Sequence, residues 1–345
     1  MAKKTLDDLL EELEPAVARA FLQSIARITS DAQVDLLIAA IKARDIQRAI
    51  AVLNLDSAYF EPLDRALRDA YAAGGALMMD EVRSMARGQG ARVVARFDVF
   101  NPAAQRFMRE QSSRLVVEIT SEAREMVRDK LVAAFDAGGR SPRTVALDIV
   151  GRIDRTKGTR TGGVIGLTSG DETAAMRAYE ELRSGDPARM ENYLSRKTRD
   201  RRFDSVVRRA IASGKPVPAK QAAAMQAMMR NKMLRNRGER IARTELIGGL
   251  NQSNDDALEQ LIEAGKTPRD AVRVTWDAAN DKDTRESHAA MDGQTVTQGQ
   301  PFTTGAGYQM KHPGDRSLGA PASEFINCRC VVRRDIDFSF MLADA

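Results

Sequence analysis

Four side chains in this sequence have the chemistry of soft metal ligands, and they stand close together. Cys328 and Cys330, in the run FINCRC, are the only cysteines among 345 residues, and His288 and His312 are the only histidines. All four fall within residues 288–330. On a strand, residues two apart project from one face, so the two thiols converge. A disulfide between them would close a very tight ring and constrain almost nothing. Two thiolates and two neutral imidazoles, by contrast, make a closed, tetrahedral, charge-neutral zinc site. His288, Cys328, Cys330 and His312 are therefore the expected metal ligands, with Asp292 or Asp315 as substitutes for His312 and zinc in a structural role. The C-x-C spacing is less specific than C-x₂-C, and no H-x₃₋₅-H accompanies it. The competing interpretation is two small buried thiols and two surface histidines.

Catalysis needs more than ligands. Neither H-E-x-x-H nor the H-x-E…P-C-x-x-C pattern of zinc deaminases is present. Arg285 and His288 share a helix face at i, i+3 with Glu286 nearby, and His288 within reach of Cys328 or Cys330 would make a nucleophile pair. No third, orienting group follows from the spacing, so no catalytic residue is assigned and the expectation is a protein that is not an enzyme.

The net charge is only +5, but it is unevenly placed. Residues 196–243 hold 15 Lys/Arg against Asp200, Asp204 and Glu239, a net +12 that leaves −7 for the rest of the chain. Such a segment can neutralise several phosphates by counterion release. Its candidate DNA contacts are Arg196, Lys197, Arg199, Arg201, Arg202, Arg208, Arg209, Arg230, Lys232, Arg235 and Arg237. No aromatic residues interleave them for base stacking, so the expected binding is blind to sequence. A solvated helix face paired with acids elsewhere is the alternative.

The elements that must position these groups are mostly helical. Leu13, Val17, Phe21 and Ile25 recur every four residues, Ser30-Asp31 offers a cap for the next helix, and Asp56-Ser57 opens another that runs to about Met85. Its AAGGALMM centre suits a close approach of two helices or a bend. Pro102 starts a helix; Thr120 or Ser121 caps a further one, which Gly138-Gly139 ends. Residues 156–170 are glycine-rich, match neither phosphate-loop pattern, and are expected to be a connector. Met225, Met228, Met229 and Met233 are expected to pack as a stripe. Beyond residue 267 the character changes. Val272, Val274 and Trp276 alternate as on a strand, 281–293 suits a short helix capped by Asp281 or Asp283, 293–305 suits a hairpin, and FINCRCVVRRDI a last strand. The expected fold class is mainly α-helical in the N-terminal and middle regions, 1–110 and 111–266, with a small α+β C-terminal domain over 267–345. No run approaches the 18 apolar residues of a membrane span. The acidic MAKKTLDDLLEELE start lacks the apolar core of a signal peptide, so synthesis in the cytoplasm is expected.

Three motifs in order carry a family resemblance: RIARTELIGGLNQS, VTWDAANDKDTRESHAAMDG and HPGDRSLGAPASEFINCRC. Together they resemble the Mu-type phage head morphogenesis family, the minor head or minor capsid proteins. The matching positions include Arg243, Thr244, Glu245 and Asn251; Trp276, Asp281, Arg285, His288, Asp292 and Gly293; and Asn327, Cys328, Arg329 and Cys330. The resemblance implies a virion protein inside the capsid near the portal, assembled in the host cytoplasm. Its implied partners are the portal protein, double-stranded DNA bound non-specifically, and major capsid or scaffolding protein, with no membrane. Arg243, Glu245, Asn251, Trp276, Asp281, Arg285 and Asn327 are then structural motif residues, with Arg243 and Glu245 expected to pair with Asp281 and Arg285. The alternative is an internal phage effector or nuclease-like enzyme that uses His288, Cys328 and Cys330.

Overall fold

The computed structural model describes residues 4–154, 156 and 158–341. The ends of the expected terminal regions, 1–3 and 342–345, and Lys157 of the glycine-rich connector lie outside the described residues. In chain order the helices are α1 (Leu6–Asp31), α2 (Val34–Lys42), α3 (Ile46–Val52), α4 (Glu61–Gly88), α5 (Pro102–Ala137) and α6 (Pro142–Val150). A small antiparallel pair, β1 (Arg152–Ile153) and β2 (Arg160–Thr161), precedes α7 (Ser169–Arg183), α8 (Pro187–Ser195), α9 (Asp204–Ser213) and the 45-residue α10 (Ala219–Glu263). The C-terminal part holds β3 (Val272–Asp277), α11 (Glu286–Ala289), β4 (Thr295–Thr297), β5 (Phe302–Thr303), β6 (Gln309–Met310), α12 (Ala322–Phe325) and β7 (Val331–Ile336). The fold is thus mainly helical with a small α+β C-terminus.

The chain divides into two compact units, and neither is one contiguous stretch. The first comprises Met1–Arg19, Leu63–Ser113 and Glu239–Ala345; the second comprises Ala20–Pro62 and Arg114–Gly238. These boundaries do not follow the expected cuts at 110 and 266, because α1, α5 and α10 each contribute residues to both units.

In the first unit, Tyr71, Met78, Met79 and Val82 of α4 pack with Phe97, with Leu258 and Leu261 of α10, with Val272 and Ile336 of the sheet, and with Phe338 just beyond β7. The approach of α4 to α10 is set by Gly74: a Cβ there would lie 2.3 Å from Ser253 Oγ and 2.9 Å from Leu250 Cδ2. The glycines of AAGGALMM therefore serve close packing. The sheet has the order β4-β3-β7, all antiparallel, with Val272 opposite Ile336 and Trp276 opposite Val332. Its inner face carries Val272, Val274 and Trp276, as the alternation in the sequence requires.

The second unit is built on Leu167 before α7 and on Ala175, Leu182, Met190, Tyr193 and Val207 of the helices that follow, packed on Met225, Met229 and Met233 of α10. Met228 lies off this i, i+4 stripe and is exposed. A capping box fixes the start of α7: Thr168 accepts from the Asp171 amide while Asp171 accepts from Thr168.

Several local expectations differ from the structure. Helix α5 runs unbroken through Thr120, whose hydroxyl donates to the Val116 carbonyl at 2.9 Å instead of capping a new helix. No glycine or proline interrupts 103–137, so nothing stops the helix before Gly138 and Gly139, both at positive φ. Asp31 ends α1, and Gln33 precedes α2 without a side-chain cap. Arg285, with no capping hydrogen bond, precedes α11, whereas Asp281 and Asp283 form the preceding turn. Residues 293–305 do not pair with themselves: β4 joins β3, and β5 pairs with β6.

Buried charge ties the second unit together. Glu172 receives Lys130 at 2.5 Å and the Arg230 guanidinium at 2.6 and 2.8 Å, all three groups being largely closed to water. Burial pulls the Lys130 ammonium below its ordinary value, and Glu172 opposes that pull. Removing the carboxylate would strand two cations in a dry interior. Glu172→Ala should destabilise the protein by about 3–5 kcal/mol, read as a lower urea midpoint, whereas loss of the solvent-screened Arg202–Asp200 pair should leave that midpoint nearly unchanged.

Candidate metal centre and basic face

Residues 243–256 of α10 hold the C-terminal part in place through several polar contacts. The Thr244 hydroxyl accepts from the Asn327 amide at 3.0 Å, next to the cysteines. Arg316 donates to Glu245 at 2.6 Å and lies 4.4 Å over the Phe325 ring. Arg243 forks onto Glu14 of α1 at 2.8–3.0 Å. Arg334 reaches Asp255 at 2.7 Å, and Asn251 donates to the Ile247 carbonyl.

The expected pairing of Arg243 and Glu245 with Asp281 and Arg285 does not form. Residues two apart leave a helix on nearly opposite faces, so Arg243 turns to α1 and Glu245 to Arg316. Asp281 instead meets Arg329 at 2.6 Å, and Arg285 donates to the Ile326 carbonyl.

The segment 312–317 lies directly on this helix. A Cβ at Gly314, which has φ +82°, would come 2.7 Å from the Gly248 nitrogen, so backbone meets backbone with no room for a side chain. His312 sits beside this contact and not among the cysteines: its Nε2 contacts Gln252 Oε1 at 3.2 Å and its Nδ1 the Pro313 carbonyl at 2.9 Å. Asp315 accepts from the Lys311 and Ser317 amides, both at 2.8 Å, and Asp292 accepts from the Ala278 amide and the Asn280 side chain. His312 and its two expected substitutes are each engaged in holding their own loop.

His288, Cys328 and Cys330 do come together. Their ligand atoms all lie within 4.8 Å of one another, the only such group of three or more among the described residues. His288 Nδ1 is 3.5 Å from each sulfur, and the three residues are 1%, 1% and 2% exposed. The cysteines precede β7 and do not belong to the ladder. Asn327, at φ +56°, turns the chain into an extended run in which burial still alternates, so both thiols face inward. The hydrogen bond with Cys330, reinforced by burial, holds Cys328 well above the ordinary thiol value. The same bond, helped by His288 and the Ala279 amide against the cost of burial, holds Cys330 well below it.

Beyond the imidazole stands Glu324, buried on α12, a residue the sequence reasoning missed. Its Oε2 lies 3.1 Å from His288 Nε2 and accepts from the Ser287 hydroxyl at 2.9 Å. The Nε2 contact is at ion-pair distance but is not a hydrogen bond. The available signal was an acid four residues before Cys328 in a turn opened by Pro321. Trp276 packs edge-on to the His288 ring at 5.3 Å and to Phe302 at 5.4 Å.

The structure divides the eleven candidate DNA contacts, all in the second unit. Arg230 and Arg237, 3% and 5% exposed, cannot reach a phosphate: one is locked to Glu172, the other to Glu122 and the Gly166 carbonyl. Arg196 and Arg199 fork onto Glu181 and Asp204, and Lys232 donates to the Lys197 carbonyl. Lys197, Arg201, Arg202, Arg208, Arg209 and Arg235 remain exposed. Lys197, Arg201, Arg202, Lys232 and Arg235 line one cleft of ≈ 640 Å³, with Asp154 and Asp200 as its acids.

Two substitutions probe the contact between α10 and the loop. Gly314→Ala, strained in φ and in collision with Gly248, should cost at least about 1–3 kcal/mol in a denaturant titration. Asp315 is subject to opposing effects: burial pushes its carboxyl up, but His312 and the Lys311 and Ser317 amides outweigh burial and hold it below 3.8. Its contribution to stability is then complete above that value and lost as pH falls through and below it. In acid titrations followed by circular dichroism, Asp315→Asn should lower stability at neutral pH and make the acid limb shallower.

Comparison with known proteins agrees with the motifs. Residues 201–333 match the family described as phage Mu protein F like protein. No curated protein and no solved structure matches the chain. The matched span covers most of the basic segment, the polar stripe of α10 and the Cys/His cluster, and it supports a likeness of this part of the chain to a Mu-type phage head morphogenesis family.

Proposed function

We propose that the protein is a minor head protein that works at the portal during head morphogenesis and touches packaged double-stranded DNA through the exposed cations of its second unit. The family match over 201–333 carries the head-morphogenesis part of this reading. The DNA part rests on Lys197, Arg201, Arg202, Arg208, Arg209 and Arg235, which stay exposed after the buried ion pairs have taken their share of the basic segment. Cations without interleaved aromatics suit phosphate contacts that ignore sequence. Portal, capsid and scaffolding contacts, and a place inside the virion near the portal, follow from the resemblance. No described helix is long and apolar enough to cross a membrane.

The protein acts, on this reading, by binding and not by turnover. The His288–Cys328–Cys330 cluster is buried, which leaves no approach for a macromolecular substrate and favours a structural part for it over a nuclease-like one.

DNA binding followed across a salt series tests this directly. The wild type should bind unrelated duplexes equally, with affinity that falls steeply with salt. The triple variant Lys197→Gln/Arg201→Gln/Arg235→Gln should reduce the log–log salt slope by about 2.7 if each side chain meets a phosphate. An unchanged slope would remove this face as the DNA contact, and cleavage of the duplex would overturn the non-enzymatic reading. Portal association is checked by co-sedimentation of the full chain with portal rings, where retention is expected.

A further inference from the structure

We propose that His288 Nδ1, Cys328 Sγ and Cys330 Sγ hold one zinc ion, and that Glu324 is the positioning residue that aims the imidazole at it. The inference stands on the first unit alone and is independent of DNA or portal binding.

The first observation is a distance. Zinc binds sulfur at about 2.3 Å and imidazole nitrogen at about 2.0–2.1 Å, so a tetrahedral ion sets the nitrogen–sulfur edge at about 3.6 Å. His288 Nδ1 stands 3.5 Å from both sulfurs. Three side chains from two separate segments, α11 and the run before β7, thus already have both nitrogen–sulfur edges of a zinc tetrahedron, with the sulfurs within 4.8 Å of each other. Two sulfurs and an imidazole form a donor set that selects zinc over the oxygen-seeking magnesium and calcium.

The second observation lies on the far side of the ring. A histidine that binds metal through one nitrogen generally presents the other, as N–H, to a carboxylate or carbonyl. His288 Nε2 is buried without a hydrogen bond, and the Glu324 carboxylate, itself buried, stands 3.1 Å away. The Ser287 hydroxyl holds that carboxylate in place. A proton on Nε2 faces an acceptor, which leaves the Nδ1 lone pair directed at the sulfurs.

The surroundings are arranged for this centre. Arg285 binds the Ile326 carbonyl and Arg329 binds Asp281, so the turn bearing His288 and the run bearing the cysteines are joined on both sides of the cluster. Three residues supply three ligands. His312, held by Gln252 and Pro313, does not supply a fourth.

The test is metal content by mass spectrometry on the purified full-length protein, beside a cobalt(II) titration of chelator-treated protein. The expected result is about one zinc per chain, and on cobalt addition both sulfur-to-metal charge-transfer absorption and the intense visible bands of a tetrahedral site. His312→Ala should keep full stoichiometry, while His288→Ala and Cys330→Ser lose it. Glu324→Gln should stay folded and bind about 10–100-fold more weakly. Unchanged affinity in that variant would end the role assigned to Glu324. Should the ligand variants fail to fold, the cobalt titration of wild type decides alone. A metal-free protein that takes up neither zinc nor cobalt overturns the proposal, as does zinc retained in a folded Cys328→Ser/Cys330→Ser protein or lost from a folded His312→Ala one.

Discussion

A contact between two backbones organises the first unit. Gly248 of α10 and Gly314 of the 312–317 loop meet so closely that either gains a side chain only at the expense of the other's position. Around that contact the loop is fixed by His312 on Gln252 and by Arg316 on Glu245. Arg316 in turn covers Phe325, three residues before Cys328, and Thr244 holds the Asn327 amide one residue before it. The geometry of the cysteines therefore descends from the helix through a short series of contacts. A long helix with no side chain at one position is what allows a polar loop to lie flat on it.

Charge in the second unit is divided by depth. Glu172 and Glu122 draw Arg230 and Arg237 inward, where paired charges hold helices in register. Glu181 and Asp204 engage two more arginines at the surface. What remains outside is a smaller and more compact set of cations than the count of Lys and Arg suggests. Net charge along a sequence measures how many basic groups exist; only the positions of the acids, many of them far away in the chain, decide how many face solvent.

That distinction marks how far the sequence could be followed. The helical body, the strand at 272–277 and its inward face were legible because periodicity is a local property. The convergence of His288 with Cys328 and Cys330 was legible because so few soft ligands exist and they lie so close in the chain. His312 was not separable from them by composition, since its exclusion depends on Gln252, sixty residues earlier. The same holds for Arg243, whose partner Glu14 lies near the start of the chain. Thr120 misled for the opposite reason: a residue that caps well can also bond back to its own helix, and the choice turns on the turn before it. Glu324 went unnoticed because its one signal, an acid four residues before Cys328 in a short turn, acquires its meaning only from the ring it faces.

Trp276 gives this arrangement an unplanned use. It is the sole indole of the chain, fully buried, in edge-on contact with both the His288 ring and Phe302. Excited indoles respond to neighbouring imidazoles and to the polarity of their surroundings, so all tryptophan emission from this molecule originates beside the one cluster of interest. Ultraviolet light thus addresses that corner of the protein without a label, and could follow it inside an assembled particle wherever neighbouring proteins contribute little emission of their own.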